Sequence, residues 1–306
     1  MNRINGFLSI DDCKKKVIDV EKGYYLVYID GEEYYYKTFS YGLFGSELIA
    51  YYGAKLLGID ACFYDLAILN GEQGYISKSF KRENENFVLG EVILGDYLVN
   101  SMDFIKNMGL DRLTSSILEE KCMNKLSSYL CADYVNTLEI IWQALEYRYG
   151  NKIDIEKVMN QFVSMYLFTI LFKDNDKHSG NWGVIENCDG IRLAPLFDNE
   201  LIFYGGFSSI NFFVNFMDSN NNNGVLESLR VFFEVSSFEY FELFVEMFEK
   251  LTSNFELILE MVEKQIGMRI NFMDRNYIFC KFNENKENIN QIIDSFKVSK
   301  YSKILK

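Results

Sequence analysis

Asp174-Asn175-Asp176-Lys177-His178-Ser179-Gly180-Asn181-Trp182-Gly183, followed downstream by Leu193-Ala194-Pro195-Leu196-Phe197-Asp198, is the stretch whose reading decides the fold. It contains the only histidine and the only proline of the chain. Asp176 precedes Asn181 by five residues, and Asp198 follows a short strand-like segment, Gly190 to Leu196. A carboxylate that orients a hydroxyl, an amide oxygen and a second carboxylate that hold a hard divalent cation form the set that phosphoryl transfer uses. Any short polar pattern can arise by chance. In this chain the spacing, an apolar helix leading into the loop and a second Asp after a strand all agree.

Working upstream, Ile155, Val158, Met159, Phe162 and Met165 recur at helical spacing and run directly into Asp174. Nearer the start, Lys16 to Phe39 is rich in Tyr, Val and Ile and is punctuated by Lys22-Gly23 and Asp30-Gly31, which predicts antiparallel strands ending at Tyr34-Tyr35-Tyr36-Lys37. Gly45-Ser46 opens a helix of about three turns that Gly58 closes. Two more strand-like runs, Cys62 to Leu69 and Gly74 to Phe80, flank the hairpin signal Asn70-Gly71. After Arg82 the pattern becomes amphipathic and helical, with Phe238, Phe241, Phe244, Val245, Phe248 and Leu251 marking another helix and Asp218 to Gly224 reading as a flexible loop. The expected fold is α+β: a bilobal, protein-kinase-like arrangement with an N-lobe over residues 1–82, a sheet plus one helix, and a helical C-lobe over 83–306 that carries the catalytic and metal-binding loops.

Within that frame Asp176 is the expected catalytic base, and Asn181 and Asp198 the Mg²⁺ ligands. Lys37, at a strand end, and Glu47, opening the next helix, suit the ion pair that holds a lysine on the α- and β-phosphates of ATP. Taken alone, Lys37 is an ordinary strand lysine and Glu47 an ordinary first-turn acid favoured by the helix dipole. Ser77 and Lys78 lie on the last strand before the hinge, where backbone groups meet the adenine, and Lys78 is the alternative phosphate lysine. His178 has two readings of equal weight, a donor to phosphate oxygen and a brace for the loop. Trp182 and Gly183 pack and turn that loop.

Composition excludes several other classes. The 306 residues are 49 % apolar, enough for one large core or two lobes. A formal charge of −13 disfavours direct nucleic-acid binding, which relies on clustered Lys and Arg. Lys14-Lys15-Lys16 and the lysines of the tail read as solvated groups. The longest apolar run, Phe162 to Phe172, is too short to span a bilayer, and Met1 to Gly6 has no secretory signal features, so a cytoplasmic protein is expected. Six scattered cysteines without a C-x-x-C pair are expected to be reduced packing residues.

Asp176-Lys177-His178 with Asn181, Leu193 to Asp198, Tyr36-Lys37, Ser46-Glu47, Lys55 to Ile59 and Gly74 to Lys78 together resemble HipA-like serine/threonine kinases. The resemblance runs from about Tyr34 to Asn199. It implies a bacterial protein kinase using ATP and Mg²⁺, often the toxin of a toxin–antitoxin module, with Asp176 as catalytic aspartate, Asn181 and Asp198 on the metal and Lys37 on the phosphates. The 36 residues before Lys37 cannot hold the additional N-terminal subdomain of HipA itself, so the chain resembles the short form of the family. In some modules that subdomain is a separate small protein, which makes such a protein, or a small antitoxin, an expected partner beside a protein substrate with a Ser or Thr acceptor. No G-x-G-x-x-G precedes Lys37, where the available glycines are Gly6, Gly23 and Gly31 and the one serine is Ser9, so the phosphate-covering loop has no sequence assignment. Two other readings remain: a kinase of a small molecule or lipid headgroup, which would use the same catalytic parts, and a nucleotide-binding pseudokinase acting as a binding module.

Overall fold

Strands form where Tyr, Val and Ile cluster between glycine turns, because large and β-branched side chains pack well on a pleated surface. The computed structural model describes residues 3–39, 44–106, 132–150, 154–188, 190–204, 212–213 and 222–304. Strands β1 (Arg3–Ile4), β2 (Phe7–Ser9), β3 (Lys14–Asp19), β4 (Tyr24–Ile29), β5 (Glu32–Thr38), β6 (Tyr64–Leu69) and β7 (Glu72–Lys78) make one sheet in the order β1-β2-β6-β7-β5-β4-β3. Asn70 and Gly71, with φ of 54° and 83°, close the β6–β7 hairpin in the doubly left-handed turn that matches strand twist. β5 is interior, and Lys37 sits opposite Tyr24 on one side and Tyr75 on the other. Side chains alternate across a strand, so Tyr36 points away from Lys37 and packs with Ile10, Val27, Ile29, Ala67, Leu69 and Ile76. The opposite face is left for Lys37 and the site.

Helix α1 (Ser46–Leu57) ends at Gly58, whose φ of 76° lets its N–H reach the carbonyls of Ala54 and Lys55. The larger part is helical: α2 (Gly90–Lys106), α3 (Leu138–Tyr149), α4 (Ile155–Leu171), α5 (Asn222–Val235), α6 (Phe238–Ile266) and α7 (Phe272–Ile304). Asp154 caps α4 by accepting from Lys157 N, and Ser237 caps α6 by accepting from Glu239 N. Every residue of α4 from Met165 to Leu171 is buried, which is why its end reads as an apolar run without a polar face. The α1–α6 contact carries a hydrogen bond of 2.7 Å from Tyr52 Oη to Gln265 Oε1. The arrangement is α+β, a small β-rich lobe followed by a larger, mainly helical one, as the sequence leads one to expect.

Three details differ from that expectation. A second sheet, β8 (Asn86–Leu89), β9 (Gly183–Asn187) and β10 (Gly190–Leu193) in the order β10-β9-β8, lies within the helical part. β8 is too short to show an alternating pattern. Residues 218–221 of the expected loop lie outside the described residues, while Asn222, Asn223 and Gly224 are the first turn of α5, because the amphipathic run beginning at Val225 carries the helix back into them. Of the described cysteines only Cys62 is buried; Cys188 and Cys280 are exposed. Among the described residues no helix is long and apolar enough to cross a membrane.

Candidate active site

The loop that carries Asp176 begins where α4 runs out. Asn285 of α7 donates to the carbonyls of Ile170 (3.2 Å) and Leu171 (2.7 Å), satisfying acceptors that a helix end leaves open. Lys173 then takes a left-handed conformation, φ 48°, and turns the chain into Asp174. Asp174 Oδ1 accepts from Asp176 N at 3.2 Å, and Asn181 Nδ2 donates to the Asp176 carbonyl at 2.7 Å and its carboxylate at 3.4 Å. The five-residue spacing therefore works as a closed turn in which Asn181 braces Asp176. Asn181 keeps its amide oxygen unengaged by any hydrogen bond among the described residues. Burial first, then the charges of Asp198 and Asp174, push the Asp176 carboxyl above its ordinary value while His178 pulls it down. That direction suits a proton acceptor.

His178 braces the loop: its Nδ1 accepts from Gly180 N at 3.0 Å, capping the turn Ser179–Asn181. Asp133 Oδ1 holds Ser179 from the other side, accepting from its N–H at 2.7 Å and from its hydroxyl. Trp182 is buried, donates to Asn136 Oδ1 at 2.9 Å and sets its ring edge-on to Phe162 at 4.8 Å.

The β9–β10 hairpin carries the chain back to Asp198, which adopts φ 51°. Its backbone N–H donates to Tyr64 Oη at 3.0 Å, and its Oδ1 lies 3.1 Å from Lys37 Nζ. Lys37 also lies 3.1 Å from Glu200 Oε2. Burial alone would lower the lysine, but Asp198 and then Glu200 overcome it and hold the ammonium above its ordinary value. The expected Lys37–Glu47 ion pair is absent among the described residues. Glu47 is buried and accepts instead from Asn199, at 3.0 Å from the backbone N–H and 3.4 Å from the side-chain amide. The physical reason is that Asp198 and Glu200, each 3.1 Å away, take the ammonium, while Asn199 between them in sequence takes the Glu47 carboxylate. Glu200 was missed in the sequence, where Asp198-Asn199-Glu200 offered only its acidic neighbour as a signal.

Lys37, Ser77, Lys78, Asn181 and Asp198 all line one cavity of about 620 Å³, with Glu47 in its wall. Aromatic residues dominate the rest: Tyr24 stacks on Tyr35 at 5.9 Å, Phe80 on Phe197 at 5.7 Å, with Phe87 edge-on to both phenylalanines. Aromatic walls with convergent polar groups are what small-molecule and cofactor sites present. Lys78 is paired with Glu32 at 3.0 Å. Lys22, in the β3–β4 turn beside Gly23, reaches the same cavity, and that turn is tied to β5 by Thr38 N donating to Gly23 O and Thr38 Oγ1 to Lys22 O. The β3–β4 turn thus reaches the cavity through Lys22 and contains a single glycine, Gly23. Asp198 and Asn181 on one cavity offer the hard oxygen donors that Mg²⁺ takes, so the residues fit the metal.

No family model matches the chain, and no curated protein matches it in sequence. Solved structures do match in fold. The Helicobacter pylori proinflammatory kinase CtkA superposes with a TM-score of 0.57 at 14 % identity, covering 96 % of this chain and 99 % of that one. The HipA toxin–antitoxin complex of Shewanella oneidensis MR-1, with HipB and operator DNA, matches with a TM-score of 0.51 at 12 % identity over 88 % of this chain and 64 % of that one. The fold is that of HipA-like kinases.

Proposed function

We propose that this protein is an ATP- and Mg²⁺-dependent kinase that phosphorylates serine or threonine in a protein substrate. The observation that carries the proposal is that Lys37, Asn181 and Asp198, from three distant parts of the chain, line one aromatic-walled cavity while Asp176 is bonded to Asn181 beside them. Lys37 neutralises phosphate oxygens, and the β3–β4 turn at Lys22-Gly23 covers them. Asn181 and Asp198 would hold Mg²⁺, which would supply neutralisation of phosphate charge when bound. Asp176 orients the acceptor hydroxyl and takes its proton. His178 keeps the loop in shape through Gly180. Phe80, Phe87 and Phe197 shield the base from water, and Ser77 and Lys78 line the approach to the hinge.

The division into an N-lobe of residues 1–82 and a C-lobe of 83–306 is part of the same reading; it agrees with β7 ending at Lys78 and β8 already pairing with β9. Likeness to the HipA complex supports a small antitoxin-type partner, and an ATP-dependent enzyme belongs in the cytoplasm, where ATP is. Incubation with ATP and Mg²⁺ followed by mass spectrometry tests the proposal. Phosphate on serine or threonine supports it. Phosphate only on a metabolite or lipid headgroup replaces it with a small-molecule kinase, and nucleotide binding without transfer replaces it with a pseudokinase.

A further inference from the structure

Lys177 stands between the base and the histidine in the catalytic loop, yet its side chain has no exposure at all. Its ammonium donates to Phe197 O at 2.8 Å, Asn199 Oδ1 at 3.0 Å and Asp198 O at 3.4 Å, and Asp174 Oδ2 lies 3.5 Å away. A lysine ammonium is a compact, strongly hydrated charge with three donors, and burying it is costly unless those donors are met. All three are met by a single segment, 197–199, which belongs to the other loop of the site. That segment has a reason to need holding. Asp198 is a non-glycine residue with φ 51°, a conformation that persists where the surroundings over-determine it. Tyr64 takes its N–H, Lys177 takes its carbonyl and the one before it, and Glu47 takes the N–H of Asn199.

We infer that Lys177 is a positioning residue that locks the metal-binding loop at Asp198 to the catalytic loop at Asp176, so that one buried ammonium sets the separation of base and metal ligand. The inference rests on the kinase reading for its effect on nucleotide, but the clamp itself does not. Lys177→Met alone would strand the Asp174 carboxylate in the interior, so the test uses Asp174→Asn/Lys177→Met, which removes both charges together. Asn199→Ala, which leaves Lys177 and Asp174 in place, is the second variant.

Two measurements are made on each folded variant. Hydrogen exchange of the nucleotide-free protein should quicken over residues 196–200 while β4, β5 and β7 keep wild-type protection. Calorimetry with ATP should show Mg²⁺-free affinity retained but the gain on adding Mg²⁺ reduced by about 10- to 100-fold, as when groups behind a metal ligand are removed. Wild-type exchange over 196–200 overturns the clamp, and faster exchange with an undiminished Mg²⁺ gain overturns the positioning role. If wild-type protein binds no ATP, the kinase reading fails and exchange alone decides the clamp. Failure of both variants to fold would make Lys177 a folding residue and overturn the inference as well.

Discussion

Glu47 engages both donors of Asn199, the backbone N–H at 3.0 Å and the side-chain amide at 3.4 Å. Helix α1 is therefore wired to the loop that carries Asp198, and Lys37 is left to Asp198 and Glu200. A buried carboxylate in that position has consequences for stability.

Burial, with the Asp198 charge next, raises Glu47 from the ordinary 4.5 to about 8. Between those values the native protein retains a proton that the unfolded chain has lost. Stability then falls as pH rises through that window, with a slope of up to about 1.4 kcal/mol per pH unit. Glu47→Gln cannot lose a proton and should abolish this part of the slope. Urea unfolding of both proteins from about pH 5 to about pH 8 checks it; identical pH dependence would show that Glu47 titrates normally.

The pairing of Lys37 with Glu200 predicts separate effects for the two partners. Lys37→Met should lower phosphoryl transfer by about 100-fold or more, mainly through lost contact with phosphate. Glu200→Gln should cost less, about 10-fold, and should appear chiefly in KM for ATP because Glu200 acts on the lysine and not on the phosphates themselves. Steady-state kinetics at varied ATP decides. Unchanged kinetics in Glu200→Gln alongside a collapse in Glu47→Gln would mean that the lysine re-pairs with the helix acid when nucleotide binds.

Asp198 and Asp176 should fail differently. Asp198→Asn removes an anionic metal ligand and should weaken Mg²⁺-dependent ATP binding together with transfer. Asp176→Asn keeps the shape of the loop and the bond from Asn181 to its carbonyl, so ATP affinity should hold while transfer falls by about 100-fold or more. Calorimetry with and without Mg²⁺ separates the two. Equal ATP affinity for wild type and Asp198→Asn, or full activity in Asp176→Asn, would reverse the roles.

Gly74 is paired with Thr38 beside the site, and a Cβ there would lie 2.2 Å from the Lys37 carbonyl oxygen. The obstacle is backbone in an interior strand, which cannot swing aside. Gly74→Ala should destabilise the protein by about 1–3 kcal/mol, as overpacking does, and disturb ATP binding through Lys37. A wild-type melting temperature would show that the two strands can separate without penalty.

Much of the site was legible because it is local. Asp176 and Asn181 come together within one turn, and a turn is governed by the residues that form it. The same holds for the Asn70-Gly71 hairpin, the Gly58 stop of α1 and the apolar period leading through Phe162 to the Asp176 loop. These features follow from backbone sterics, side-chain period and hydrogen bonds a few residues apart, all carried by adjacent letters of the sequence. The aromatic cavity, by contrast, was legible only as a high Tyr and Phe content.

Tertiary structure alone decided the electrostatic partners. Lys37 and Asp198 are 161 residues apart in the chain, and Glu47 and Asn199 are 152 apart. Whether a carboxylate a few ångströms away belongs to α1 or to the Asp198 loop depends on how α1 seats on α6 and how the β9–β10 hairpin returns, neither of which local pattern encodes. Lys177 is the clearest case: in sequence it is a charged residue in a polar loop, expected in water. The segment 197–199 closes over it and turns a surface residue type into a buried one, because three oxygens from a distant loop replace its hydration.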